Sequence, residues 1–182
     1  SAGSLNDLSD AGTNPDPGGN GIADDAGEDD PTGFTLPVET PSLIVTTTAD
    51  VVSNIDGETS LREAINFANS NAGDDEITFD AGVFNSRKVI LIGESELAID
   101  SNITITAPAG GVIDGQNAVR LFHISNSGTA EMIGLTLQNG FNDIFDASNP
   151  GGAITNRGSL ILRDSLITGC STISGSAIID SS

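Results

Sequence analysis

From Glu76 onward the chain is a steady succession of short apolar segments, and this pattern restricts its fold more than any other feature. Each segment has about four to six residues, with Gly, Asn, Asp or Ser between segments. Some alternate apolar and polar residues, as in Ile-Thr-Ile-Thr at 103–106, which is typical of strands with one buried face. No helical segment separates them, which argues against βαβ units, and two-residue hairpin signals are scarce. Short strands wound in one direction predict a parallel β-helix over residues 76–182.

An internal repeat supports this prediction. Residues 151–174 read GGAITNRGSLILRDSLITGCSTIS, and a related G-S-A-I begins at Gly175, which gives a period of 24 residues. Residues 111–140 contain a weaker copy. One turn of a β-solenoid with stacked repeats has a length of this order. A β-sandwich whose segments resemble each other by chance is the alternative.

One helix is predicted, over residues 60–70. Ser60 followed by Glu63 matches a capping box, in which each residue's side chain binds the other's backbone N–H. Apolar residues then recur at helical spacing at Leu61, Ala64, Ile65 and Ala68, and Arg62, Glu63, Asn66 and Asn69 fall largely on the other side. Gly73 is the predicted C-terminal cap.

The position of this helix predicts its role. The first turn of a solenoid exposes both its apolar core and a row of unpaired backbone groups, which invites pairing with another chain. An amphipathic helix across that end covers both. The sequence therefore predicts a strand at 43–55 and a capping helix in which Leu61 and Ile65 seal the first turn. Residues 43–75 form the cap and residues 76–182 the β-helix, which we expect to continue beyond residue 182 in the native protein.

The residues of the predicted cap also resemble a known family. TTTADVVSNIDGETSLREAINFANSNAGDDEITFD, residues 46–80, is similar to the N-terminal motif of bacterial surface β-helix proteins that carry the string Cys-Ser-Leu-Arg-Glu-Ala. Thr59 stands where that family usually has Cys. The GGAI repeats resemble those of polymorphic outer membrane proteins. The resemblance covers residues 43–182 and implies a right-handed parallel β-helix and an exported, cell-surface or extracellular protein, without a defined catalytic site.

Residues 1–33 differ in composition from the rest of the chain. They hold eight acidic residues and no Lys or Arg, and their few large apolar residues cannot form a core. Their low hydrophobicity and high charge predict a solvated segment. They also resemble the Asp-rich ends of repeated β-sandwich modules in large bacterial surface proteins, which implies the end of a preceding module. Residues 34–42 follow as a linker. Closely spaced oxygen ligands among glycines also make Ca²⁺ a candidate cofactor, at Asp16, Asn20, Asp24 and Asp25.

Charge and hydropathy exclude some partners. The formal net charge is −20, from 26 acidic and 6 basic residues, which disfavours binding to nucleic acid and to anionic membrane surfaces. No run of about 18 apolar residues is present, so membrane insertion by a helix is not expected. The expected partners are adjacent modules of a longer chain, copies of the same chain, or surface glycans.

An enzymatic function is an alternative because β-helices also carry polysaccharide lyases and hydrolases. Acid–base cleavage of a glycosidic bond needs a pair of carboxyl groups, and the candidate patch is Asp114, Arg120 and His123, with the only His of the chain. A lone His in an alternating strand more often has a structural role, so no catalytic residue is predicted.

The sequence therefore predicts a structural or adhesive module of an exported bacterial protein, able to assemble head-to-tail into fibres. A polysaccharide-binding or polysaccharide-cleaving β-helix is the alternative.

Overall fold

Short strands alternate with tight corners throughout the part of the chain that the structure describes. The computed structural model describes residues 39–93, 95–107, 110–143, 151–173 and 177–180. The helix in these residues is α1 (Leu61–Ser70). The strands are β1 (Ile44–Val45), β2 (Asp74–Phe79), β3 (Val89–Leu91), β4 (Leu97–Ile99), β5 (Asn102–Thr106), β6 (Val112–Asp114), β7 (Phe122–Ile124), β8 (Thr129–Ile133), β9 (Thr136–Gln138), β10 (Phe141–Asn142), β11 (Ile154–Asn156), β12 (Ser159–Arg163), β13 (Leu166–Thr168), β14 (Ser171–Thr172) and β15 (Ile178–Asp180).

The strands stack into three parallel sheets, which confirms the predicted parallel β-helix. Sheet 1 has the order β1-β2-β5-β8-β12, sheet 2 has β3-β6-β9-β13, and sheet 3 has β4-β7-β11-β15, while β10 and β14 form a separate pair. All strand pairs in the described residues are parallel. The chain visits sheets 1, 2 and 3 in turn, so each strand pairs with the strand one turn later.

The length of a turn varies along the solenoid. Asn156 and Asp180, aligned neighbours in sheet 3, are 24 residues apart, which agrees with the period of the sequence repeat. Asp74 and Asn102, aligned neighbours in sheet 1, are 28 residues apart. The repeat at 151–175 is therefore the local spacing of one turn and not a constant period.

Two continuous stretches of strand-forming residues are divided by corners. Residues 130–138 form the end of β8 and all of β9, and Gly134 between them has a φ of +71°. Residues 158–169 likewise contain β12 and β13, and Asp164 between them has a φ of +50°. A positive φ turns the chain sharply, so each segment contributes to two different sheets.

The core is a column of inward-facing aliphatic side chains along the axis. In sheet 1, Ile77, Ile105 and Met132 occupy aligned positions and are each 0% exposed. Phe79 and Phe84 pack edge to face, with ring centroids 4.9 Å apart, beside the first turn. Each turn thus buries apolar area against its two neighbours, which is the main stabilising contribution in a stacked fold.

The N-terminal end of the solenoid is covered by residues 44–70, which follow the path of one more turn. These residues are called the N-terminal layer. β1 pairs with β2 in sheet 1, residues 46–59 follow without regular structure, and α1 packs against β4 of sheet 3. Leu61, Ala64, Ile65 and Ala68 of α1 are at most 1% exposed. The predicted helix and its covering role are confirmed. The predicted strand at 43–55 is wrong beyond Val45, because the following residues bind the helix start and the corner after β3.

The end of α1 also differs from the prediction. The C-terminal cap is Asn71, in an extended conformation, and its N–H donates to the carbonyl of Ala68 at 3.0 Å. Gly73, with a φ of +106°, lies in the turn that leads into β2. Within the described residues, no helix has the length and apolar character needed to span a membrane.

Candidate functional site

The start of α1 is fixed by a reciprocal capping box. The Glu63 backbone N–H donates to Ser60 Oγ at 3.1 Å, and the Ser60 backbone N–H donates to Glu63 Oε2 at 2.8 Å. Ser60 Oγ also donates to the Val51 carbonyl at 2.6 Å, which joins the helix start to the preceding loop. Leu61 and Ile65, the two residues predicted to seal the first turn, are each 1% exposed. These side chains join the start of α1 to the preceding loop and to the first turn.

A buried ion pair joins the cap to the first turn. Arg62 binds both carboxylate oxygens of Asp50, at 2.7 and 2.8 Å, and the two side chains are 10% and 5% exposed. Arg62 also donates to the Ser95 carbonyl at 2.7 Å, and Asp50 Oδ2 accepts from the Gly93 N–H at 3.1 Å. The prediction that Arg62 lies on the outer side of the helix is wrong, because its partners lie in the cap loop and in the corner between β3 and β4.

A cluster on sheet 3 contains two of the three candidate catalytic residues. Glu96 accepts hydrogen bonds from the guanidinium of Arg120, and its other oxygen lies 3.2 Å from His123 Nδ1. Arg120 Nη1 donates to Thr155 Oγ1 at 3.0 Å. Arg120 is 7% exposed, whereas the His123 and Glu96 side chains are 24% and 28% exposed. Glu96 thus joins two residues of the following turn, and Arg120 reaches the turn after that.

Asp114 is not a member of this cluster. It ends β6 in sheet 2, and its carboxylate accepts hydrogen bonds from Gln138 at 2.7 Å, from Asn139 at 3.0 Å and from the Gln116 backbone N–H at 2.8 Å. Burial alone would raise the pKa of Asp114, but the hydrogen bonds from Gln138, Gln116 and Asn139 outweigh it and lower the pKa. The predicted patch of Asp114, Arg120 and His123 is therefore divided between two hydrogen-bond networks.

Other polar side chains also bind across neighbouring turns. Asn102 donates to Asp74 at 2.9 Å, Asn156 donates to Asp180 at 3.1 Å, and the Arg163 guanidinium binds Glu131. The donor and acceptor of each pair come from adjacent strands of one sheet. This arrangement stabilises the stacking of one turn on the next.

A groove of about 280 Å³ lies on the side of α1 that faces away from the core. Val52 and Phe67 contribute apolar surface to it, and Glu39 and Glu63 line its wall. Glu39 Oε2 is buried and has no hydrogen-bond partner within the described residues. Burial first, and then the neighbouring carboxylates of Asp56 and Glu63, raise the pKa of Glu39.

The predicted calcium ligands lie outside the described residues. These are Asp16, Asn20, Asp24 and Asp25. Among the residues that the structure does describe, no group of three or more His, Cys, Asp or Glu side chains is placed to hold a metal ion.

Glu96 is the residue of the sheet 3 cluster that the sequence did not single out. It precedes Arg120 by 24 residues, which equals the repeat period found at 151–175. The signal that pairs Glu96 with Arg120 in the sequence is therefore their separation by one repeat period. Comparisons with protein-family models, with curated proteins and with solved structures find no match to this chain.

Proposed function

We propose that this chain is a non-enzymatic structural or adhesive module of an exported bacterial protein, acting at the cell surface or in an extracellular assembly. The observation that carries the proposal is the use of polar side chains: Glu96, Asp114, Glu131 and Asn156 each bind a residue of a neighbouring turn. Groups used in this way stabilise a stacked scaffold. The resemblance of residues 43–182 to bacterial surface β-helix proteins supports the same location.

Polysaccharide cleavage is the alternative function, and a direct assay separates the two. The full chain is incubated with acidic and neutral polysaccharides, and new reducing ends and unsaturated products are measured. We expect neither. Cleavage that is lost in both His123→Ala and Glu96→Gln would overturn the structural proposal, because those residues belong to the one cluster that contains a carboxylate, an Arg and a His.

Adhesion and a purely structural role differ in whether surface glycans are bound. An immobilised glycan panel probed with the full chain distinguishes them. Saturable binding to a defined glycan identifies an adhesive module, while no binding to any glycan identifies a scaffold module.

We also propose that this chain binds Ca²⁺, with the side chains of Asp16, Asn20, Asp24 and Asp25 as its ligands. Carboxylate and amide oxygens among glycines are suited to a hard cation that takes about 6–8 oxygen ligands. Isothermal titration of calcium into the full chain and into the Asp16→Asn, Asp24→Asn, Asp25→Asn triple variant tests this. We expect saturable binding that the variant loses. Equal heats for both proteins would show that this acidic stretch binds no calcium.

A further inference from the structure

The groove beside α1 combines apolar surface with negative charge that has no counter-ion. Val52 of the N-terminal layer and Phe67 of α1 line it, and the Val52 side chain is 65% exposed. Glu39 also lines the groove, its Oε2 accepts no hydrogen bond within the described residues, and the carboxylates of Asp56 and Glu63 lie close to it. A partly buried carboxylate without a partner is unfavourable, and an approaching cation relieves it. The groove is therefore suited to a positively charged group that also brings apolar surface.

The neighbouring sequence supplies no free positive charge for the groove. Residues 1–60 contain no Lys or Arg. Arg62, the basic residue nearest to them in sequence, is bound to Asp50. The volume of about 280 Å³ is at the lower end of the size range of ligand sites, so the groove has room for side chains of a partner and not for a larger ligand.

A complementary surface lies on the side of the solenoid, in sheet 2. Arg87 and Lys88 directly precede β3, and neither side chain forms a hydrogen bond or an ion pair within the described residues. Val89 and Leu91 of β3 are 42% and 50% exposed and point outward, because Ile90 between them faces the core. Arg87, Lys88, Val89 and Leu91 are called the basic patch. It joins positive charge to exposed apolar surface, which is the combination that the groove requires.

The charge around the basic patch differs from the charge around the groove. Residues 80–94 hold two basic residues and two acidic ones, Asp80 and Glu94 at the flanks, whereas residues 39–63 hold five acidic residues and one basic one. Asp80 accepts hydrogen bonds from backbone N–H groups of the turn that follows it, and Asp114 in the aligned strand β6 is 9% exposed. Because the whole chain has a net charge of −20, two copies repel each other over most of their surface. Contact between the basic patch and the groove instead brings opposite charges together.

From these observations we infer that the basic patch of one copy docks in the groove of a second copy. Arg87 and Lys88 supply the positive charge that the groove lacks, and Val89 and Leu91 cover the exposed Val52. The two surfaces differ, so the contact is heterologous and each copy carries both halves of it. This inference rests on the proposed structural function and names a second copy of the chain as its partner.

Sedimentation velocity of the full chain over a concentration series tests the inference. We expect species larger than the 18.4 kDa monomer, in a fraction that grows with concentration. Val52→Arg places a positive charge at the groove, and Arg87→Glu reverses a charge of the basic patch, so each variant alone should remain monomeric. Ile161→Arg and Arg163→Glu are the matched controls, because they make the same changes in net charge on the outer face of sheet 1, at exposed side chains. Both controls should assemble like the wild type.

A mixture of the two variants gives the decisive result. Val52→Arg keeps an intact basic patch and Arg87→Glu an intact groove, so the mixture should contain dimers that neither protein forms alone. Glu39→Gln, which removes the negative charge from the groove wall, replaces Val52→Arg if circular dichroism shows that the latter is unfolded. A wild type that stays monomeric at every concentration, a mixture without dimers, or an equal loss in the two controls would overturn the inference. None of these outcomes depends on glycan cleavage, which tests the proposed function separately.

Discussion

Gly152 lies so close to the next turn that a larger residue has no room there. A Cβ at this position would lie 2.2 Å from the carbonyl oxygen of Ser171 and 2.6 Å from its carbonyl carbon. The contacted atoms are backbone, so they cannot move aside without shifting β14. This close approach gives a physical reason for the second Gly of the GGAI string.

We therefore expect Gly152→Ala to destabilise the fold by about 1–3 kcal/mol, the range for forced overpacking. Gly93→Ala is the matched control: apart from residue 93 and its two chain neighbours, no heavy atom lies within 4 Å of the Cβ that it would introduce, and the expected change is within about 0.5 kcal/mol. Urea unfolding followed by circular dichroism measures both. Similar midpoints for the two variants would contradict the close approach of the turns at Gly152.

Asp114 should make the stability of the fold depend on pH. Its folded-state pKa is lowered below 3.8 because the hydrogen bonds from Gln138, Gln116 and Asn139 outweigh the effect of burial. A lowered pKa means that the stabilisation is fully present above the unfolded-state pKa, and is lost as the pH falls through the folded-state pKa.

Asp114→Asn should accordingly cost about 1–3 kcal/mol at pH 7, as expected for removing hydrogen bonds to a charged group. The difference from the wild type should shrink as the pH falls below 3.8. Urea unfolding from pH 7 to pH 2.5 (about one unit below the ordinary pKa of an Asp) measures it. Asp74→Asn is the control, because that exposed carboxylate accepts a hydrogen bond from Asn102 alone among the described side chains. A difference that stays constant with pH would contradict this role of Asp114.

At the scale of elements, a buried ion pair joins the cap to the first turn. Asp50 and Arg62 are 5% and 10% exposed and join the loop 46–59, α1 and the corner after β3. Removing one member leaves the other charged and poorly solvated. We expect Asp50→Asn to destabilise the fold by about 3–5 kcal/mol.

The exposed pair Glu131–Arg163 supplies the control for this prediction. The Arg163 side chain is 60% exposed, and solvent weakens such pairs, so Glu131→Gln should cost about 0–1 kcal/mol. Both variants are measured by urea unfolding at the same ionic strength. If Asp50→Asn costs no more than Glu131→Gln, the cap does not depend on the ion pair.

The sequence predicted elements whose signals are local. The capping box and the apolar spacing of α1 lie within ten residues, and both are found where they were expected. The strand at 43–55 was wrong because its β-branched residues are overridden by distant partners: Asp50 binds Arg62 and Gly93, and Val51 accepts a hydrogen bond from Ser60. Contacts of this kind depend on which turn lies beside which, and a local pattern contains no information about that.

The predicted polar cluster differs from the observed one for the same reason: its contacts depend on which turn lies beside which. Asp114 and His123 are close in sequence but belong to sheets 2 and 3, because the corner after β6 lies between them. Glu96 is distant in sequence but lies one turn before Arg120. Since the turns differ in length, at 24 and 28 residues for two aligned pairs, no single period aligns every residue correctly.

At the scale of the whole molecule, stability should vary along the axis. Each turn contacts only its neighbours, so an inner turn has two stabilising contacts and an end turn has one. The N-terminal end has its cap, with α1 buried on one face, whereas Leu162 at the other end remains 36% exposed. Local opening should therefore start at β12, β13 and β15 and proceed toward β8 and β9.

Hydrogen exchange followed by mass spectrometry measures this gradient. We expect the strongest protection in β5–β8, intermediate protection in α1 and β2, and the weakest in β12–β15. Asp50→Asn should lower protection in α1 and β1 and leave β7 and β8 unchanged, because the loss of the ion pair opens the cap without unfolding the inner turns. Uniform protection along the chain would mean that the solenoid opens only as a whole.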